Sequence, residues 1–152
     1  SAASDVYKRQ ICLNDTVGRV GGDIVRHACT DVTGFSLMGH SCEMAEASGV
    51  TLQIDADAVP MLDGAREMAR MGMLPAGAYR NRDFFGPRVQ MGPDVPLDLA
   101  DVLFDPQTSG GLLVSVDASQ ADALVSRLRD EGLPAAVIGQ VAERGQKSVE
   151  VG

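Results

Sequence analysis

Two hydrophobic periods run along this chain. Phe35, Met38, Cys42 and Ala45 recur in steps of three and four, one face of a helix that runs to about Ser48 and stops at Gly49. Val50, Leu52 and Ile54 alternate with Thr51, Gln53 and Asp55, which predicts a strand over 50–55 with one buried face. A strand over 24–31 leads into the first helix. Pro60 suits a first helical turn, so a helix is expected from there to Gly72, with Leu62, Ala65 and Ala69 on one side. Residues 73–96, punctuated by seven Pro and Gly residues, read as the least regular part. A short helix is expected over 97–104, a Pro–Gly turn over 105–111 and a strand over 112–116. Asp117 opens the clearest helix, with Gln120 in a loose capping-box position, a stripe of Ala121, Leu124, Val125 and Leu128, and Gly132 at its end. A strand over 135–142 and a short edge strand over 148–151 follow. The expected fold class is α/β: a mixed sheet of four to five strands with helices packed on it.

Composition narrows the function. A chain of 152 residues suffices for one domain with a real core. No apolar run reaches the roughly 18 residues of a membrane helix, and no segment has a signal-peptide pattern. A cytoplasmic protein without a membrane partner is expected. The net charge of −8 disfavours nucleic acid, whose phosphates attract basic patches. It leaves a nucleotide possible, because metal ions and backbone N–H groups can carry phosphate charge. Cys12, Cys29 and Cys42 form no CxxC pair, so reduced thiols are expected, with Cys42 in the core and burial favoured for Cys29 as well. His27 and His40 read as hydrogen-bonded structural histidines. Residues 1–10 are polar without a period and read as a non-native or linker segment. Residues 11–23, with Gly18, Gly21 and Gly22, read as a helix remnant and a loop.

The candidate chemistry gathers at HACTDVTGFSLMGH, residues 27–40, where a strand turns into a helix through Thr30, Asp31, Thr33 and Gly34. Backbone N–H groups at a helix start suit an anion. The Asp31 carboxylate is the hard oxygen ligand that Mg²⁺ prefers, usually shared with substrate phosphates. The competing reading is an ordinary N-cap. Arg80, Asn81 and Arg82 bring two cations and an amide to a loop that could meet an oxyanion or stay solvated. Asp105, Thr108 and Ser109 stand beside the permissive Gly110, in an oxygen-rich turn where backbone can approach a ligand. No GxxxxGK[ST] loop, GxGxxG turn or nucleophile elbow occurs.

TDVTGFSLMGH resembles the TDVTGFGLLGH signature of selenide, water dikinase (selenophosphate synthetase), and DPQTSGGLL at 105–113 resembles a second signature of that family. GAYRN at 77–81 is similar to its Gly-x-x-x-Asn element, which raises Asn81 above Arg80. The resemblance covers about residues 11–152 and only the C-terminal half of that enzyme. It implies a C-terminal domain of the aminoimidazole-ribonucleotide synthetase-like superfamily. It also implies an ATP-dependent reaction that makes selenophosphate, AMP and phosphate from ATP, selenide and water, with Mg²⁺, in a homodimer. By resemblance Asp31 is a metal-binding carboxylate; Thr30, Thr33, Gly34, Asn81, Asp105, Thr108, Ser109 and Gly110 line the cleft. The nucleotide-binding glycine-rich segment and the reactive Cys (or selenocysteine) and Lys would belong to an N-terminal domain, so no catalytic residue is assigned here and the chain alone is expected to be inactive. Ser36 stands where the family usually has Gly, a substitution expected to be tolerated at a helix start. The alternatives are a related enzyme of the superfamily (thiamine-monophosphate kinase, aminoimidazole-ribonucleotide synthetase or a hydrogenase-maturation dehydratase) or a non-catalytic binding or dimerisation module.

Overall fold

The computed structural model describes residues 19–106 and 111–152. The reading of 1–10, most of that of 11–23, and Thr108, Ser109 and Gly110 fall outside them. The described chain begins its sheet structure with strand β1 (Arg26–Asp31), followed by helix α1 (Ser36–Ser48), β2 (Val50–Ile54), α2 (Ala65–Arg70) and α3 (Ala76–Phe85). Then come β3 (Val89–Met91), α4 (Leu97–Leu103), β4 (Leu112–Val116), α5 (Ala121–Asp130), β5 (Gly139–Glu143) and β6 (Val149–Val151).

A four-stranded mixed sheet has the order β3-β6-β2-β5. β6 runs parallel to both β2 and β3, and β5 runs antiparallel to β2. This is the α/β arrangement that the alternating apolar strands imply. The 148–151 strand is not an edge: Val149 and Val151 are buried because β6 lies between two partners. β1 joins a separate two-stranded antiparallel sheet with β4, in which Asp31 pairs with Leu112.

α1 sits at the centre and touches β1, β2, β6, α3 and α4. Its first turns are therefore buried on nearly every side. Leu37, Gly39 and Ser41 are buried along with Met38, Cys42 and Ala45. Three-and-four spacing predicts one buried face; a helix with neighbours all round buries more. Gly49 ends it in the left-handed conformation, with its N–H bonded to Glu46 O. Main-core side chains come from α1, β2, β3, α4, β6 and Phe85. A second, smaller core lies under α5, where Leu124 and Leu128 meet Leu112, Val114 and Val116; Leu113, on the opposite face of β4, packs on the main core.

Several local expectations give way. The helix expected from Pro60 begins only at Ala65, after Gly64 at φ +82°, and Leu62 is 79% exposed. Residues 73–96 hold α3 and β3, because the Pro and Gly residues flank these elements or sit in first turns, where they are tolerated. Asp117 accepts from the Ser119 N–H, while Gln120 accepts from the Val25 N–H; the capping box does not form and α5 starts at Ala121. The strand expected over 135–142 is confined to Gly139–Glu143.

Candidate functional site

The corner is built where β1 leaves its partner. The Val32 N–H donates to Gly111 O at 3.0 Å, one step past the Asp31–Leu112 pair. The end of the 105–111 segment is thereby tied to the chain entering α1. Asp31 is exposed, Val32 buried and Thr33 half-buried. This alternation sends Val32 into the core and leaves its neighbours on the outer side.

Asp31 is not the cap of α1. Phe35 occupies that position, with no side-chain capping bond. Among the described residues, the Asp31 side chain has no hydrogen bond or ion pair. Thr30 Oγ1 donates only to Asp31 O, at 3.4 Å.

Asn81 holds the corner from the side. It is buried on α3, and its Nδ2 donates to Gly34 O at 3.0 Å and to Phe104 O at 3.2 Å. Both partners are carbonyls, so the amide orientation is forced by the chemistry. One turn earlier, Gly77 faces Pro106: a Cβ at Gly77 would lie 3.1 Å from Pro106 Cγ. Gly77 and Asn81 are i and i+4 on one helical face. In this chain Gly77 gives room to Pro106, and Asn81 bonds the chain at Gly34 and Phe104. Sequence reasoning singled out Asn81 and missed the role of Gly77. Arg80 lies on the exposed side of α3 without a hydrogen bond or ion pair among the described residues, and Arg82 pairs with Asp101.

Ser36 has φ +68°, the left-handed region that favours glycine. Glycine would adopt this turn freely, whereas serine meets it under strain. Ser36 is fully buried and its Oγ accepts from the Gly39 N–H at 3.4 Å. Gly39 fits because it has no side chain: an added Cβ would lie 2.7 Å from Phe85 Cε2 and 2.8 Å from Phe35 Cβ.

His40 is buried in the second turn of α1, as a structural histidine should be, and its Nε2 lies 3.0 Å from Thr33 Oγ1. Its Nδ1 is 3.3 Å from Glu43 Oε2, within ion-pair range but off the line that a hydrogen bond needs. No sequence signal pairs Thr33 with His40; the turn between them brings them together. His27 is exposed, and no hydrogen bond to its ring is found among the described residues, so the reading as a hydrogen-bonded structural histidine does not hold there. Cys42 is fully buried, and burial pushes its thiol up to about 11. Cys29 is exposed instead of buried, because β1 turns that face outward; partial desolvation and then the Asp31 charge raise its thiol pKa.

The corner therefore unites the Thr33–Gly34 turn, Asn81 and the chain at Phe104–Asp105. The described residues hold no cluster of three His, Cys, Asp or Glu side chains able to bind a metal. Mg²⁺ keeps several waters and takes one or two carboxylates plus phosphate oxygens, and the Asp31 carboxylate is exposed and has no partner among the described residues.

Residues 14–152 match the family model described as AIR synthase related protein, C-terminal domain. The chain is 45% identical over 155 residues to a selenide, water dikinase of Pelobacter propionicus, covering 99% of the chain and 44% of that protein. It is 48% identical to one from Geobacter metallireducens, covering 82% of the chain and 36% of that protein. Among solved structures, thiamine-monophosphate kinase from Stenotrophomonas maltophilia superposes with a TM-score of 0.53 at 26% identity, covering 83% of the chain and 31% of that structure. The chain spans less than half the length of these curated relatives. Signatures, fold and comparisons converge: this chain belongs to the AIR synthase related protein family, as its C-terminal domain, and is similar to the corresponding part of selenide, water dikinases.

Proposed function

We propose that the chain is the C-terminal half of an ATP-dependent selenophosphate synthetase and forms the metal- and phosphate-facing wall of its cleft. The observation that carries this reading is the meeting of three distant segments at one corner: residues 31–40 bond to Asn81 of 77–81, and Asn81 bonds to the chain entering 105–111. A solvated face would not need a buried amide strut. In this reading an N-terminal domain brings the nucleotide-binding loop and the nucleophile, ATP and selenide are the substrates, and the enzyme is a cytoplasmic homodimer. Residues 1–10 are a linker or non-native segment in front of the single domain 11–152.

Asp31 would hold Mg²⁺ together with nucleotide phosphates, and the ion would neutralise phosphoryl charge there. This chain's own contribution is to present an exposed carboxylate on the outer side of the corner, with Val32 buried behind it, and to hold Gly34 and Phe104 together through Asn81. Thr30, Thr33, Gly34, Asp105, Thr108, Ser109 and Gly110 would line the same wall.

Asp31→Asn in the full-length protein tests the assignment. Asparagine is nearly isosteric with aspartate, but lacks the charge that a hard divalent ion prefers. The expected result is a loss of selenide-dependent AMP formation that added Mg²⁺ partly restores, with the melting temperature within a few degrees of the parent, the shift from about 1 kcal/mol. Unchanged activity across a Mg²⁺ titration would remove Asp31 from the site. Likeness to thiamine-monophosphate kinase favours a second reading, separated by whether ATP consumption depends on selenide or on thiamine monophosphate.

A further inference from the structure

α3 carries Arg80, Asn81 and Arg82 in succession, and the fold gives them three different fates. Asn81 is the buried strut. Arg82 pairs with Asp101, and its guanidinium also lies over the Tyr79 ring at 5.4 Å. Arg80 has no hydrogen bond or ion pair among the described residues, although a carboxylate is at hand: Asp83, exposed at i+3 on the same helix, is equally without a partner there. Every other described arginine except Arg26 is tied to a carboxylate or a backbone carbonyl. The Arg80 side chain lies back along the helix, as long helical side chains do. Its Nη2 is 3.9 Å from the point where a Cβ on Gly77 would stand, and that point is 3.1 Å from Pro106 Cγ. Arg80 and Pro106 thus flank the same bare turn of α3, and Asn81, the next residue, ties the helix to the chain at Phe104 O.

The wall read above as phosphate-facing holds the carboxylates Asp31 and Asp105 and no cation, so by itself it repels a phosphoryl group. A guanidinium offers N–H donors in a planar fork, no acceptor, and a charge that is never lost. We propose that Arg80 is the anion-binding side chain of this wall, taking a pair of phosphate oxygens in a forked contact on the Pro106 side of α3. The inference rests on the metal- and phosphate-facing reading of the corner and adds the residue that takes phosphate charge directly, without a metal ion between. The ligand chemistry is a phosphoryl oxyanion, which either a nucleotide or free phosphate supplies.

Calorimetry on the full-length protein, with Mg²⁺ and without selenide, tests this through the Kd of ATP and of inorganic phosphate. Arg80→Ala should weaken at least one of them by about tenfold or more, the loss typical of a hydrogen-bonded charged contact. Arg80→Lys keeps the charge but not the fork, so it should recover only part of that affinity. Both variants should melt within about 2 °C of the parent, because Arg80 bonds to nothing in the described fold. Weaker ATP binding assigns a nucleotide phosphate to Arg80; weaker binding of inorganic phosphate alone assigns the free anion. Parental affinity for both ligands in folded Arg80→Ala protein overturns the inference, and full recovery in Arg80→Lys overturns the forked contact. Asp31→Asn separates the two levels. If it weakens ATP binding while Arg80→Ala does not, only the role of Arg80 fails. If Arg80→Ala weakens ATP binding and Asp31→Asn does not, the anion contact stands and the metal assignment falls. A full-length protein that binds neither ATP nor phosphate removes the phosphate-facing reading and this inference with it.

Discussion

Removing the Asn81 amide should loosen the corner before it unfolds the domain. In Asn81→Ala two hydrogen bonds disappear, those to Gly34 O at 3.0 Å and to Phe104 O at 3.2 Å. Their consequences differ. Gly34 is exposed, so water can satisfy its carbonyl and the net loss is about 1 kcal/mol. Phe104 is buried, so its carbonyl is left with an unmet acceptor and costs about 1–3 kcal/mol. The sum is roughly 2–4 kcal/mol, or a melting temperature lower by about 4–16 °C for a domain of this size. Asn81→Asp is the sharper variant. It turns a double donor into an acceptor facing two carbonyl oxygens, so the charged form is repelled and the folded-state pKa of the new carboxyl rises above its unfolded value of about 3.9. A raised folded pKa places the sign: whatever stability this variant retains is fullest below about pH 4 and is lost as pH rises through the folded pKa. Urea unfolding of parent, Asn81→Ala and Asn81→Asp across acidic to neutral pH measures both effects. A loss below about 0.5 kcal/mol in Asn81→Ala, or a pH-independent deficit in Asn81→Asp, would refute the strut argument.

Two further substitutions probe the turn into α1. Ser36→Gly relieves a left-handed serine worth about 1–2 kcal/mol but gives up a long hydrogen bond and adds unfolded-chain freedom. Urea unfolding should therefore show stability unchanged or higher by up to about 1 kcal/mol, whereas Ser36→Val should lose at least about 2 kcal/mol; a clear loss in the glycine variant would contradict the strain. Gly39→Ala should destabilise by about 1–3 kcal/mol despite alanine's helix propensity, because the methyl meets Phe85 and Phe35 below 3 Å. A thermal melt at or above the parent's would show that those rings can move aside.

The chain's own sequence determined more of the elements than of their neighbours. Alternation placed β2, spacing placed α1, and the glycines at 49, 72 and 132 marked helix ends where positive φ is observed. These are local properties: each depends on which way a residue points along one strand or helix, or on one residue's tolerance of positive φ. Composition and periodicity also carried the α/β class, and the two long signatures carried the family. Pairing was a different matter. That β6 lies inside the sheet, that β1 joins β4 apart from the other strands, and that α1 is surrounded follow from contacts between residues far apart in sequence. The same holds for the site. Asp31, Thr33 and Asn81 were legible as residue types worth watching, but Asn81 takes its meaning from carbonyls 47 and 23 positions away. Likewise, Gly77 matters only because Pro106 comes to lie against it, Ser36 because the turn drives it to positive φ, and His40 because folding sets it between Thr33 and Glu43. Residue identity limits which bonds a group can make; tertiary structure decides which partner arrives to make them.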